Sequence, residues 1–208
     1  MRQTATLLHL ATKQQLQSAT ALLGAAFQQD PANIYIYPNE EERRRWLPVL
    51  FGVAVRYAWR YGELTGAQEA ERITGVSCWL PPDQPMPAIG RLLRSGVLRA
   101  ALQPNWRALL RSNRTESYAN DAHRRYASQP HWYLWALAVA PAVQGRGIGS
   151  ALLRSGLERA DTTGIPCYLE TTNPANVPLY RRFGFIVVNE GDIPDTGVRS
   201  WSMLRPRQ

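Results

Sequence analysis

Lysine is nearly missing from this chain of 208 residues: Lys13 stands alone among 23 arginines. No Gly-Lys-Ser/Thr therefore exists, which excludes a P-loop. Cysteine is scarce too. Cys78 and Cys167 both sit inside apolar, strand-like runs (76–80 and 167–169), the place of buried reduced thiols and not of a disulfide framework or metal site. No His, Cys and Asp cluster has metal-ligand spacing, so no metal is expected. A run of 18 apolar residues is also lacking, since Arg56 interrupts the longest candidate, and no membrane-spanning helix is expected. Thr4, Thr6 and His9 break up the N-terminal stretch before a signal-type apolar region could form. A cytoplasmic protein is the expectation these absences leave.

What is present reads as one globular unit. Hydrophobic residues make up 45% and charged residues 19%, ordinary values for a folded chain, and neither repeat nor linker is evident. A single domain over residues 1–208 is expected. The net charge of +8 suits polyanionic partners. It is concentrated between Arg91 and Arg114, where six arginines and no acid alternate with Leu92, Leu93, Val97, Leu98, Leu102, Trp106, Leu109 and Leu110. This predicts a basic amphipathic helix broken near Pro104, followed by a more polar helix over 115–128. Such a face is either solvated or a basic lid over an anionic ligand or partner.

The N-terminal half predicts a short strand over 5–10 and a helix capped by Thr12 and running to about Gln28, with Leu16, Ala19, Leu22, Leu23, Ala26 and Phe27 as its apolar stripe. Asp30-Pro31 ends it, and residues 33–38 form an unusually aromatic loop. Asn39 and Glu42 suggest a capping box for a second helix to about Arg60. A hairpin follows, with strands at 63–68 and 72–80.

The most informative stretch begins at Trp132. Residues 132–139 are almost unbrokenly apolar and predict a buried strand. Pro141 stops it, and Gly145, Gly147 and Gly149 lead into an amphipathic helix over 147–161. A strand, a glycine-rich turn and a helix start gather backbone N–H groups toward one point, an arrangement suited to an anion. The dinucleotide fingerprint needs its third glycine where Ser150 stands. Glu170 does follow at about the right interval, but the preceding chain does not alternate strand and helix. The plain alternative is a turn whose glycines only permit close packing. Gly164 ends the helix, residues 165–170 form the next strand in a βαβ crossover, and a short helix over 177–183 closes at Gly184. Strands at 185–188 and 198–204 complete the chain.

Val-Ala-Pro-Ala-Val-Gln-Gly-Arg-Gly-Ile-Gly (139–149) and Leu-Glu-Thr-Thr-Asn-Pro-Ala-Asn-Val-Pro-Leu-Tyr-Arg-Arg-Phe-Gly-Phe (169–185) together resemble the cofactor half of the GNAT superfamily of N-acetyltransferases, over about 131–190. The order of the N-terminal helices, the hairpin and the closing Trp-Ser-Met strand is also similar to puromycin N-acetyltransferase and its relatives. The likeness thins over the Arg-rich insert, about 86–128. The resemblance implies an α/β fold, a mixed twisted sheet of six or seven strands with helices on both faces, in which the strands at 132–139 and 165–170 splay apart. It implies acetyl-CoA as co-substrate. The backbone of Leu137, Ala138 and Val139 would meet its pantetheine arm. The backbone of Gln144, Gly145, Arg146, Gly147, Ile148, Gly149 and Ser150 would hold its pyrophosphate.

It further implies that Asn176 bonds the pantetheine, although an N-cap role fits that residue equally, and that Tyr180 protonates the departing thiolate. Glu170 is the candidate base for the acceptor amine, with His131 a weaker one that reads more simply as structural. The acceptor would be an amine of a small molecule or peptide, entering past the aromatic segment 35–37, the second helix and the insert. Nucleic acid is not an expected partner, and a monomer or homodimer is. Two other readings stay open: a non-catalytic acyl-CoA-binding regulator, and a basic protein that meets nucleic acid or membrane through the arginine face.

Overall fold

A computed structural model describes residues 5–102 and 105–208, with the Ala101 side chain left aside. Thr4 and Pro104, on which two of the readings above rest, lie outside the described residues. Seven strands form one sheet in the order β1-β2-β3-β4-β5-β7-β6. They are β1 (Thr6–His9), β2 (Glu63–Glu69), β3 (Arg72–Leu80), β4 (Trp132–Val139), β5 (Cys167–Thr171), β6 (Ile186–Ile193) and β7 (Val198–Arg205). All neighbours are antiparallel except β4 and β5. That parallel pair is registered only at Trp132–Cys167 and Tyr133–Tyr168. Beyond those two pairs the strands part.

A second irregularity lies next to that opening. Cys78 is opposite Ala136 and Trp79 is opposite Leu134, so Trp135 is an extra residue in β4. A bulge shifts which side chains face which side. Ala136 and Ala138 accordingly share one apolar cluster with Ala19, Leu22, Leu23 and Val55, whereas Leu134 packs with Leu153 and Leu157 in another.

Helices α1 (Lys13–Ala26) and α3 (Glu40–Tyr61) cover one face of the sheet. The predicted cap of α1 is complete: Thr12 accepts from Gln15 N–H and the Gln15 side chain accepts from the Thr12 N–H. For α3 only half of the box forms. Asn39 accepts from Glu42 N–H, while Glu42 turns to Asn105 Nδ2 at 2.8 Å instead. Helix α7 (Ile148–Thr163) covers the other face. Its close seat depends on Gly156, where a Cβ would fall 2.3–2.7 Å from the buried indole of Trp79. Arg205 ties β7 to α7 and to the segment ahead of β6, forking onto Asp161 and donating to the Phe183 carbonyl.

Three expectations change. Residues 33–38 are not an open loop: Asp30 caps and Pro31 begins a short helix α2 (Pro31–Ile36), proline being suited to a first helical position. The buried Arg43 then fastens the connection by donating to the carbonyls of Gln28, Tyr37 and Pro38. The arginine-rich segment breaks into α4 (Ile89–Arg94) and α5 (Val97–Ala101) at Gly96, whose φ is +89°, a conformation that favours glycine. The separate helix over 115–128 is instead the continuation of one 21-residue helix, α6 (Trp106–Tyr126).

Gly156→Ala should destabilise the fold by about 1–3 kcal/mol, the usual cost of overpacking. Gly90→Ala, in α4 where a Cβ would meet nothing within 4 Å, should stabilise by up to about 1 kcal/mol. Urea denaturation of the two variants beside the parent chain checks both signs.

Candidate active site

At the end of β4 the chain turns through two left-handed glycines into α7. Gly145 and Gly147 have φ of +76° and +85°, so glycine is needed there for conformation and not for room: a Cβ at either would meet nothing within 4 Å. Gly147 is the N-cap of α7 and no side chain caps that end. The first N–H groups of a helix have no partner within it, and here they face a cavity of about 760 Å³. Leu137, Ala138, Val139, Gln144, Gly145, Gly147, Ile148, Gly149 and Ser150 all line it, as do Asn176 and Tyr180. Arg182, at the end of α8 (Val177–Arg182), brings a cation to the same wall. An anionic ligand with a long neutral arm fits this set of groups.

Three of the predicted contributors have side-chain or backbone partners of their own. Arg146 points away from the cavity and forks onto Glu69 of β2 at 2.8 and 3.2 Å, so only its backbone can serve the cradle. The Val139 carbonyl accepts from Gln144 Nε2 at 3.1 Å, so the Gln144 amide occupies the acceptor expected to meet a ligand. Asn176 stands at the N-cap position of α8 but does not cap it with its side chain. It already lies in a 3₁₀ turn (Pro174–Asn176) with helical φ and ψ, makes no capping bond, and donates to Thr171 Oγ1 at 3.3 Å. Asn173 is the residue that caps, accepting from Ala175 N–H.

A second cavity, of about 270 Å³, opens on the other side of Tyr180. Phe27, Asp30, Leu137, Asn176 and Tyr180 line both cavities. Trp135, the bulged residue, and Glu170 line the second one, together with Phe51 and with Thr115, Glu116 and Ala119 of α6. The insert thus does reach this cavity. Of the aromatic segment 35–37 none lines it, only Ala32 and Asn33 just before: Tyr37 is buried in the core beside Leu47, and Tyr35 instead meets Arg114 and Arg111 of α6. In the sequence Asp30 marks only the end of a helix. Its carboxylate accepts from Ala32 N–H, Asn33 N–H and Thr172 Oγ1, and burial raises its pKa against those bonds. An Asp-Pro start signal was the available clue.

The titratable groups of the site are poised. Burial pushes Glu170 up to about 7, an effect that the Tyr133 and Tyr168 phenols partly offset. Burial alone raises the Tyr180 phenol. His123 of α6 lies behind Glu170, its Nδ1 3.6 Å from Oε1, and it had no sequence signal. His131 does not line either cavity at Tyr180; it contacts His123 instead. Cys78 and Cys167 are free and buried, each thiol pushed up to about 12 by burial. Among the described residues no His, Cys, Asp and Glu cluster could hold a metal, and no helix is long and apolar enough to cross a membrane.

The arginine face is partly structural. Arg56 and Arg60 of α3 donate to the carbonyls of Ser95 and Arg94, and so hold the insert to the body. Ile89, Leu98, Leu102, Trp106 and Leu110 remain exposed beside it.

A seven-stranded mixed sheet with this parted β4–β5 pair is the GNAT fold. It superposes on a Corynebacterium glutamicum structure described as histone acetyltransferase HPA2 and related acetyltransferase, with a TM-score of 0.68, 24% identity and coverage of 99% and 97% of the two chains. Residues 96–185 match the model of the Acetyltransferase (GNAT) family. An uncharacterized N-acetyltransferase of Schizosaccharomyces pombe is 28% identical over 176 residues, 82% of this chain and 70% of that one. A mycothiol acetyltransferase of Mycolicibacterium gilvum is 41% identical over 64 residues, 27% of this chain but only 21% of that relative's length. The chain thus shares its fold with the Corynebacterium glutamicum protein, and the family model matches less than half of its length.

Because a buried carboxyl prefers to be neutral, Glu170 favours the folded state below its ordinary pKa near 4.5, and that contribution is lost as pH rises through about 7. Glu170→Gln should therefore gain stability relative to the parent chain by about 1–3 kcal/mol between pH 5 and pH 8. Denaturant titrations at the two pH values measure the difference.

Proposed function

We propose that the protein is an acetyl-CoA-dependent N-acetyltransferase that moves the acetyl group directly to an amine of a small molecule or peptide. The observation that carries this reading is Tyr180, which stands where the 760 Å³ and 270 Å³ cavities meet at the parted strands. Acetyl-CoA supplies an activated thioester. The open N–H groups of 145–150 and the Arg182 guanidinium suit its phosphates, and the free edge of β4 along Leu137–Val139 suits its arm. The order of helices and hairpin supports the puromycin N-acetyltransferase-like subgroup within that reading.

Each residue then has a chemical task. An amine arrives mostly as ammonium and must lose a proton before it attacks. Glu170, held up to about 7, is matched to accept that proton near neutral pH. Asp30 and Glu116 join Glu170 on the wall of the second cavity, which has no Lys, Arg or His among the described residues lining it, so a cationic acceptor is favoured there and an anionic one disfavoured. Phe27, Phe51 and Trp135 offer apolar surface to its body. Tyr180 stays protonated because burial raises it. A free thiol titrates near 8.5, so complete transfer from such a phenol is uphill. Its main contribution is a hydrogen bond that strengthens as the sulfur gains charge, with the proton following late.

A thiol-release assay over a panel of primary amines tests the proposal. Turnover should rise with pH through a midpoint of about 7 in kcat/KM, since the ionised form of Glu170 is the active one. Tyr180→Phe should lower kcat by about 100-fold or more, with KM for acetyl-CoA little changed. Absence of turnover with every amine, alongside tight binding of CoA, would point to a non-catalytic acyl-CoA-binding protein instead.

A further inference from the structure

Glu170 has a neighbour on the side away from the acceptor. His131 Nδ1 lies 2.7 Å from the Gln129 carbonyl oxygen, and His131 Nε2 lies 2.7 Å from His123 Nε2. A carbonyl can only accept, so His131 carries its proton on Nδ1, and its Nε2 offers a lone pair. His123 must then donate from Nε2, which leaves its Nδ1 bare and aimed at Glu170 Oε1, 3.6 Å away. The Gln129 carbonyl thus dictates the tautomer of a ring two groups distant.

The groups around His123 leave it free to act in this way. Glu170 and Tyr168 face it from β5, Tyr133 from β4, and His131 from the preceding turn. None of these is a fixed cation. Burial, and for His123 the neighbouring His131, hold both imidazoles below their ordinary pKa, so both rest neutral. Although only 3% and 2% exposed, both rings line a third cavity of about 550 Å³, walled by residues 82–86, Arg124 and the turn before β4. That cavity shares no residue with the two that meet at Tyr180.

We propose that His123 and His131 form a proton relay that clears Glu170 and discharges into this third cavity. The relay rests on Glu170 being the base that takes the acceptor's proton. The proton on the Glu170 carboxyl moves to His123 Nδ1 as the His123 Nε2 proton moves to His131 Nε2. This restores the carboxylate and leaves His131 an imidazolium, with both N–H bonds in place. His131 then gives one proton to water in the cavity, and exchange with water there returns both rings to their starting tautomers. The 3.6 Å gap to Glu170 is slightly long for a hydrogen bond and has to close by a few tenths of an ångström, as catalytic contacts often do when a ligand binds.

Two measurements on the intact chain decide the proposal. The chain has three histidines, His9, His123 and His131, so nitrogen-15 spectra of histidine-labelled protein can be assigned with single variants. His131 should show the Nδ1–H tautomer and His123 the Nε2–H tautomer, and Glu170→Gln should shift His123 Nδ1 specifically. Like tautomers in both rings, or two independent titrations near about pH 6.5, would overturn it. With an amine that is turned over, His123→Gln and His131→Ala should each lower kcat about tenfold or more without raising KM for acetyl-CoA. Added imidazole should restore His131→Ala, and a bowed proton inventory in mixed light and heavy water should become linear in His123→Gln. Wild-type kcat and pH profile in both histidine variants, with Glu170→Gln inactive, would remove the relay and leave the base in place. Full activity of Glu170→Gln would remove the base itself. If the histidine variants do not fold, a linear proton inventory in the parent enzyme overturns the relay and a bowed one supports it.

Discussion

The site depends on two strands that stop bonding. Hydrogen bonds between β4 and β5 hold for Trp132–Cys167 and Tyr133–Tyr168 and then cease, and an unpaired backbone edge inside a fold needs another partner. Around that opening the chain gathers the groups that the proposed thioester reaction would use. The β4 edge faces one cavity, the N-terminus of α7 ends it, and Tyr180 stands where it joins the next. The bulge at Trp135 adds an indole to the wall of that next cavity, beside Leu134 and Leu137 of the same strand. The sheet on either side is conventional antiparallel pairing, and it supplies the rigidity that lets the gap persist.

Burial does most of the chemical tuning. The same desolvation that lifts Glu170 toward neutrality also lifts the Tyr180 phenol and depresses the two histidines. One carboxyl comes to titrate at about 7, as the proposed base role requires, while its neighbours stay neutral donors and acceptors. A carboxyl placed this way costs stability whenever it is charged, an unfavourable position of the kind that folds keep at functional sites.

Much of this was legible in the residues. Local signals marked the elements best: Thr12 with Gln15 for α1, glycines at 145, 147 and 164 for both ends of α7, and Gly184 after α8. Two motifs one βαβ unit apart lie on the walls of one cavity, with the glycine turn at one end and Tyr180 at the other. What escaped the reading depended on distant partners. The direction of Arg146 was decided by Glu69, 77 residues away in the chain. Asn176 lost its capping role to a 3₁₀ turn already in progress. His123, inside a segment that reads only as basic and amphipathic, acquires its meaning from Glu170 and His131. Periodicity likewise had no way to show that one helix would continue through residues 106–126, because the polar half of α6 is set against β6, β7 and α2 instead of against a core stripe.

The arginine surplus has a consequence for the surface of such a protein. A guanidinium stays protonated at any physiological pH and is not a nucleophile. An ammonium of lysine can shed its proton and react with an activated acyl group, losing its charge in the process. With its positive charge carried by 23 arginines and one lysine, Lys13 at the start of α1, the molecule presents a nearly inert coat to acyl thioesters. Its +8 charge would persist under acylating conditions that would progressively neutralise a lysine-rich protein of the same shape.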